Sequence, residues 1–133
     1  MNLFDSHSHY NDEKFDIDRE QIIKESIEGL GENFKNKIYT EREIEYCESK
    51  RNVKYQHYAG RFAAKEAIFK AISELLDDKF EISWKDAEIL NDDQGKPRVT
   101  FTSIKLQEKI ESIDISISHC KEYATASVAI ITK

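Results

Sequence analysis

Three features of this 133-residue chain predict an α+β fold, a small antiparallel sheet packed with helices. Phe62, Phe69, Ile72, Leu75 and Leu76 recur at three- and four-residue spacing, the period of one helix face. Ile113, Ile115 and Ile117 alternate strictly, the period of a strand. Between them, Asn91-Asp92-Asp93-Gln94-Gly95-Lys96-Pro97 is turn chemistry flanked by short apolar runs, which marks a hairpin. Helices segregated from hairpin-joined strands give α+β rather than a parallel sheet.

Taken in order, Leu3 to His9 reads as a short strand. Asp18 with Gln21 resembles a capping pair opening a helix through Ile22, Ile23 and Ile27, which Gly29 and Gly31 end. Thr40-Glu41-Arg42-Glu43 is a capping box, because the Thr hydroxyl and the Glu carboxylate can each accept an otherwise unpaired backbone N–H. It starts a short helix with Ile44 and Cys47 facing inward. A longer helix is expected from about Tyr55 to Leu76. After Asp77-Asp78 the period changes: Phe80, Ile82, Trp84, Ala87 and Ile89 suggest a kinked strand, which returns as Arg98-Val99-Thr100-Phe101. Residues 102 to 112 fit a helix through Ile104, Leu106 and Ile110. The alternating strand follows to His119, and Ala124 to Thr132 forms the last strand.

A chain of this length fits one domain over 1–133 and can bury roughly two-thirds of its unfolded surface. Apolar residues make up 39% and charged residues 35%, with seven Phe and six Tyr, which is core enough to exclude disorder. No apolar run approaches the roughly 20 residues of a membrane span, and Met1 to Asp5 has neither the basic start nor the apolar stretch of a signal peptide. A soluble, cytoplasmic protein is expected, with Cys47 and Cys120 as thiols.

Charge is distributed unevenly. Residues 1–28 hold eight acids and three bases, whereas residues 35–70 hold nine bases against five acids. That basic region can attract an acidic partner although the pI is near 5.3. Nucleic acid is disfavoured as a partner.

The residues richest in chemistry are Gly60-Arg61-Phe62-Ala63-Ala64-Lys65-Glu66-Ala67, followed by Lys70. On a helix, Glu66 lies one turn after Phe62 and one turn before Phe69 and Lys70, so a carboxylate interrupts a core-seeking stripe. Such a group needs a cation, a metal ion or a ring of donors. Its bland partners are Lys65, Lys70 or Arg61. Three further blocks follow: Trp84-Lys85-Asp86-Ala87-Glu88-Ile89-Leu90-Asn91, Gly95-Lys96-Pro97, and Ser116-Ile117-Ser118-His119 with Lys121-Glu122-Tyr123-Ala124.

In order and spacing these blocks resemble the holo-[acyl-carrier-protein] synthase family of phosphopantetheinyl transferases, from about Phe34 to Ile131. The resemblance implies transfer of 4'-phosphopantetheine from coenzyme A to a serine of apo acyl carrier protein, in support of fatty acid biosynthesis. It also implies a cytoplasmic homotrimer with active sites at subunit interfaces, and Mg²⁺ held by a glutamate and an N-terminal aspartate. Glu66 corresponds to that glutamate. A hard divalent ion prefers carboxylates and water, and offsets charge on a diphosphate under attack. Lys70 corresponds to a lysine that contacts the coenzyme phosphates, although alone it reads as a solvated helix charge. Gly95, Lys96 and Pro97 correspond to the nucleotide end, and can equally be turn residues. His119 belongs at the coenzyme site by the same resemblance, as a phosphate contact rather than a general base. By itself it reads as a structural histidine.

The chain departs from the family pattern in two places. The family's opening strand ends in Gly-x-Asp, which supplies the second metal ligand, and that strand is expected to be missing here. Asp16-Ile17 with Ile23 and Ile27 lies without gaps on the family's Asp-Ile and helix pattern, so Asp16 is the preferred replacement and Asp5 the alternative. After Lys70 the family has a glycine-containing loop, where Ser73-Glu74-Leu75-Leu76 continues as helix. Phe69 also stands where serine is frequent.

Residues 1–28 instead resemble the start of TatD-type metal-dependent deoxyribonucleases, through Phe4-Asp5-Ser6-His7-Ser8-His9 and Asn11 to Arg19. His7 and His9 are then either an adventitious metal pair or exposed histidines. Such nucleases are (β/α)₈ barrels of about 250 residues, far longer than this chain. The N-terminus therefore reads as an atypical, fused segment. The alternatives to the transferase are a transferase-fold binding protein with impaired catalysis and a nuclease fragment.

Overall fold

The structure, a computed structural model, describes residues 3–7, 13–73, 82–119 and 124–133, with side chains over 21–29, 31–73, 82–118 and 124–133. Its elements run β1 (Leu3–His7), α1 (Glu13–Leu30), α2 (Glu32–Ile38), α3 (Glu41–Glu48), α4 (Lys54–Ile72), β2 (Ala87–Asn91), β3 (Pro97–Phe101), α5 (Ile104–Lys109), β4 (Ile110–His119) and β5 (Ala124–Thr132). Single 3₁₀ turns at Arg51–Val53 and Trp84–Asp86 lead into α4 and β2.

Among the described residues all strand pairings are antiparallel. They form two sheets rather than one: a three-stranded sheet ordered β1-β5-β4 and the β2-β3 hairpin, whose return strand packs beside β4. Every second residue of β5 is buried, from Ala124 to Thr132, because one face lies on helix α4. Its other neighbours are set by register, with Leu3 opposite Ile131 on one side and Ile115 opposite Val128 on the other.

Helix α4 is the core element. Ala59, Ala63, Ala64, Ala67 and Ala71 are all buried, and these small side chains let the helix approach the sheet closely. Ile68 and Ile72, both fully buried, then meet Ile89, Val128 and Ile130. Burying each such side chain contributes roughly 1.5–3 kcal/mol. A second cluster joins Ile23 and Ile27 of α1 to Ile38, Tyr39, Cys47 and Tyr58.

Several expectations are corrected. Helix α1 begins at Glu13, five positions before Asp18, and Gly31 (φ 64°) separates it from α2, a helix that residue periodicity did not announce. Trp84 stands in a 3₁₀ turn instead of a strand, and Ile110 opens β4 instead of closing a helix. The expected first strand is present as β1, although without the family's Gly-x-Asp ending. Leu75, Leu76, Phe80, His9, Cys120 and Lys121 to Tyr123 lie outside the described residues. Among the described residues no helix is long and apolar enough to cross a membrane.

Candidate active site

The capping box at the start of α3 does more than start a helix. Thr40 Oγ1 accepts the Glu43 N–H, and the Thr40 N–H donates to Glu43 Oε1 at 2.9 Å. Glu43 Oε2 accepts the Ile89 N–H at 2.8 Å, while Lys65 Nζ lies 2.9 Å from Oε1. The ammonium also donates to the carbonyls of Trp84 and Ala87, at 2.8 and 2.7 Å. Its three protons thus have three acceptors. Both side chains are fully buried. Burial lowers the Lys65 pKa, against which the Glu43 carboxylate acts in the opposite direction. This pair fixes α4 against α3 and the start of β2, and so sets where the rest of α4 points.

One turn earlier on the same helix, Arg61 is 3% exposed. Its Nη2 donates to Asn91 Oδ1 at 2.6 Å, and the guanidinium lies 4.1 Å from the centroid of the Tyr46 ring. Its Nε has no hydrogen-bond partner, and no carboxylate pairs with Arg61 among the described residues. A buried cation without a counter-ion is costly, and the groups that repay it are anions.

Asn91 carries the link onward, since its Nδ2 donates to the Gly95 carbonyl at 2.8 Å. The turn is built by Asp92, whose Oδ1 accepts the N–H groups of Gln94 and Lys96, both at 2.9 Å. The Lys96 N–H foremost holds the Asp92 carboxyl below the usual range. Gly95 adopts φ 84°, a left-handed conformation that favours glycine. Gly95, Pro97 and Ile117 then close a pocket of about 190 Å³ over Arg61, Asn91, Tyr46 and His57. A groove of about 340 Å³ adjoins it, sharing Tyr46 and Asn91.

The expected site residues are only partly brought together. Gly95 and Pro97 line the pocket; Lys96 points instead toward Asp114, with 3.8 Å between Nζ and Oδ1. Glu66 is half-buried and Lys70 exposed, one turn further along α4. Neither Lys65 nor Arg61 is available as a bland partner for Glu66, since the first is committed to Glu43 and the second to Asn91. Phe62 and Phe69, which bracket Glu66 on its stripe, both pack on Trp84 with ring centroids 5.1 and 5.0 Å away. His119 ends β4 opposite Ala124, two residues beyond Ile117. Asp5 pairs with Ala129 in β1, and Asp16 stands within α1. The side chains of Asp5, His7, Asp16 and His119 lie outside the described residues. Both β1 and α1 pack against α4, the helix that carries Glu66. Arg61 is the residue that sequence reasoning passed over.

Residues 16–128 match the model of the 4'-phosphopantetheinyl transferase superfamily. The chain belongs to that superfamily. It is 43% identical over 120 residues to a holo-[acyl-carrier-protein] synthase of Ruminiclostridium cellulolyticum, covering 86% of this chain and 85% of the other. A holo-[acyl-carrier-protein] synthase of Fusobacterium nucleatum is 46% identical over 105 residues, covering 75% and 83%. Among solved structures, the Bacillus anthracis holo-(acyl-carrier-protein) synthase in complex with CoA (3',5'-ADP) matches with a TM-score of 0.65 and 31% identity, over 96% of this chain and 93% of that one. The Helicobacter pylori synthase in complex with coenzyme A has a TM-score of 0.75 and 24% identity, over 98% and 100%. The phosphopantetheinyl-transferase-like α+β fold is therefore established. The family match opens at Asp16, whereas the structural match takes in nearly the whole chain, N-terminal strand included.

Proposed function

We propose that this chain is a holo-[acyl-carrier-protein] synthase, one domain over 1–133, which transfers 4'-phosphopantetheine from coenzyme A to a serine of apo acyl carrier protein. The observation that carries this reading is the buried Arg61 cation, unpaired by any carboxylate among the described residues and lining a pocket closed by Gly95 and Pro97. Such a pocket suits the anionic nucleotide of coenzyme A, and the likeness to holo-[acyl-carrier-protein] synthases supplies the rest of the reaction.

In this reading Arg61, Lys70 and His119 hold coenzyme phosphates, with Gly95, Lys96 and Pro97 at the nucleotide end. Mg²⁺ fits the donor chemistry of Glu66, a half-buried carboxylate on the central helix, since a hard divalent ion prefers carboxylate oxygens. The second carboxylate comes from Asp16 or Asp5, whose elements both pack on α4. The start of the family match favours Asp16; its place in a helix, with Asp5 in the strand, favours Asp5. When bound, the ion would offset charge on the diphosphate and lower the barrier to attack by the carrier serine. A homotrimer, the cytoplasm and fatty acid biosynthesis complete the reading, and the basic residues of 35–70 are suited to an acidic carrier.

A second reading, a coenzyme-binding protein without turnover, rests on Asp16 standing in a helix rather than at a strand end. The nuclease reading has no barrel to support it, as the strands pair antiparallel in two small sheets. Incubation with coenzyme A, Mg²⁺ and an apo carrier separates these outcomes. The carrier gains the mass of a phosphopantetheine group, and chelation of Mg²⁺ prevents the gain; no gain at enzyme stoichiometric with carrier, with coenzyme still bound, selects the second reading.

A further inference from the structure

Three basic side chains meet the ring of Tyr46, which also packs on the cluster that holds Tyr39, Cys47 and Tyr58. Arg61 Cζ lies 4.1 Å from its centroid, Lys50 Nζ lies 4.8 Å away, and the His57 ring meets it edge-on at 5.6 Å. Tyr46 sits on α3, Lys50 just beyond that helix, and Arg61 and His57 on α4, so one aromatic ring gathers basic side chains from α4 and from the segment after α3. It also forms the wall shared by the pocket and the adjoining groove.

We infer that Tyr46 is a positioning residue for coenzyme binding, acting through Arg61. A guanidinium is planar, and its hydrogen bonds are directional. The Asn91 bond fixes one nitrogen of Arg61 but leaves rotation about that contact. The contact of its Cζ with the Tyr46 ring face restricts that freedom, so the buried fork is held ready for an anion. The electron-rich face also offsets the cost of gathering positive charge before an anion arrives. Neither contribution needs the phenol hydroxyl, which makes no hydrogen bond among the described residues. The inference rests on the coenzyme reading of the pocket.

Binding of coenzyme A and of 3',5'-ADP, measured by calorimetry, tests it. Tyr46→Leu is expected to weaken both by about tenfold, the upper range for loss of a desolvated cation–π contact. Tyr46→Phe keeps the ring and is expected to bind within about twofold of wild type. In an Arg61→Met background, Tyr46→Leu should add almost nothing, because its route of action is gone. Wild-type tightness in Tyr46→Leu, or an equal loss with and without Arg61, overturns the inference. Near-ultraviolet circular dichroism at the binding temperature confirms folding of each variant; should Tyr46→Leu be unfolded, Tyr46→Phe against Tyr46→His carries the comparison, and equal affinities there overturn it. Wild-type protein that binds neither ligand overturns the coenzyme reading itself.

Discussion

Lys65 Nζ and Glu43 Oε1 lie 2.9 Å apart with neither side chain exposed, joining the central helix to a capping box twenty-two positions earlier. Removing one partner of such a pair leaves an uncompensated buried charge. Lys65→Met should therefore destabilise the fold by about 3–5 kcal/mol, read from urea unfolding. Glu43→Gln/Lys65→Met, which removes both charges but leaves an acceptor for only one of the Thr40 and Ile89 N–H groups, should recover part of that loss.

Arg61 predicts the opposite balance. As a buried cation with no carboxylate partner among the described residues, it costs stability that a ligand repays. Arg61→Met should unfold at a temperature no lower than wild type without ligand, yet bind coenzyme A about 10–100-fold more weakly, as expected for a lost charge-assisted hydrogen bond. A variant that is both less stable and equally tight contradicts the assignment.

These two residues also show what was legible. The capping box, the hairpin turn and the alternating strand through Ile113, Ile115 and Ile117 are local patterns, and the structure has each of them. Lys65 and Arg61 read only as possible partners of Glu66, because the groups that they engage, Glu43 and Asn91, lie 22 and 30 positions away. The signal that could have found them is the run of small residues around them, Ala59, Gly60, Ala63, Ala64 and Ala67, which marks a helix buried on several sides. Glu66 stood out through its stripe; which N-terminal carboxylate would join it in the proposed metal site was not legible, since that depends on how β1 and α1 pack on α4.

Glu66→Gln keeps size and hydrogen bonding but removes a hard anionic ligand. Transfer activity at fixed Mg²⁺ should fall on the order of 10³-fold, the scale of a few kcal/mol at the transition state. The apparent Mg²⁺ requirement should rise, while the unfolding midpoint changes little.

Gly95→Ala tests the turn. An added Cβ meets nothing within 4 Å, so crowding is absent, but φ 84° strains any L side chain. A loss of about 1–2 kcal/mol in unfolding free energy is expected. Coenzyme affinity should fall too, because the Gly95 carbonyl holds Asn91 and thereby Arg61.

Acid should unfold the protein partly through Glu48. Burial pushes its carboxyl upward, but the Tyr58 hydroxyl at 2.6 Å, Lys54 at 3.2 Å and Lys35 at 3.7 Å outweigh that and leave it below the ordinary value of 4.5. A carboxylate depressed on folding stabilises fully above its unfolded pKa, and that share is lost as pH falls through the folded value. Thermal midpoints measured downward from pH 6 should drop more steeply in wild type than in Glu48→Gln below about pH 4.5.

The account rests on Arg61 and Glu66 serving one coenzyme from one helix. A crystal structure with coenzyme A and Mg²⁺ tests this most directly. It should place phosphate oxygens within about 3 Å of the Arg61 guanidinium, and the diphosphate on the Glu66 side of α4. Coenzyme bound elsewhere, with Arg61 still touching only Asn91 and Tyr46, contradicts it.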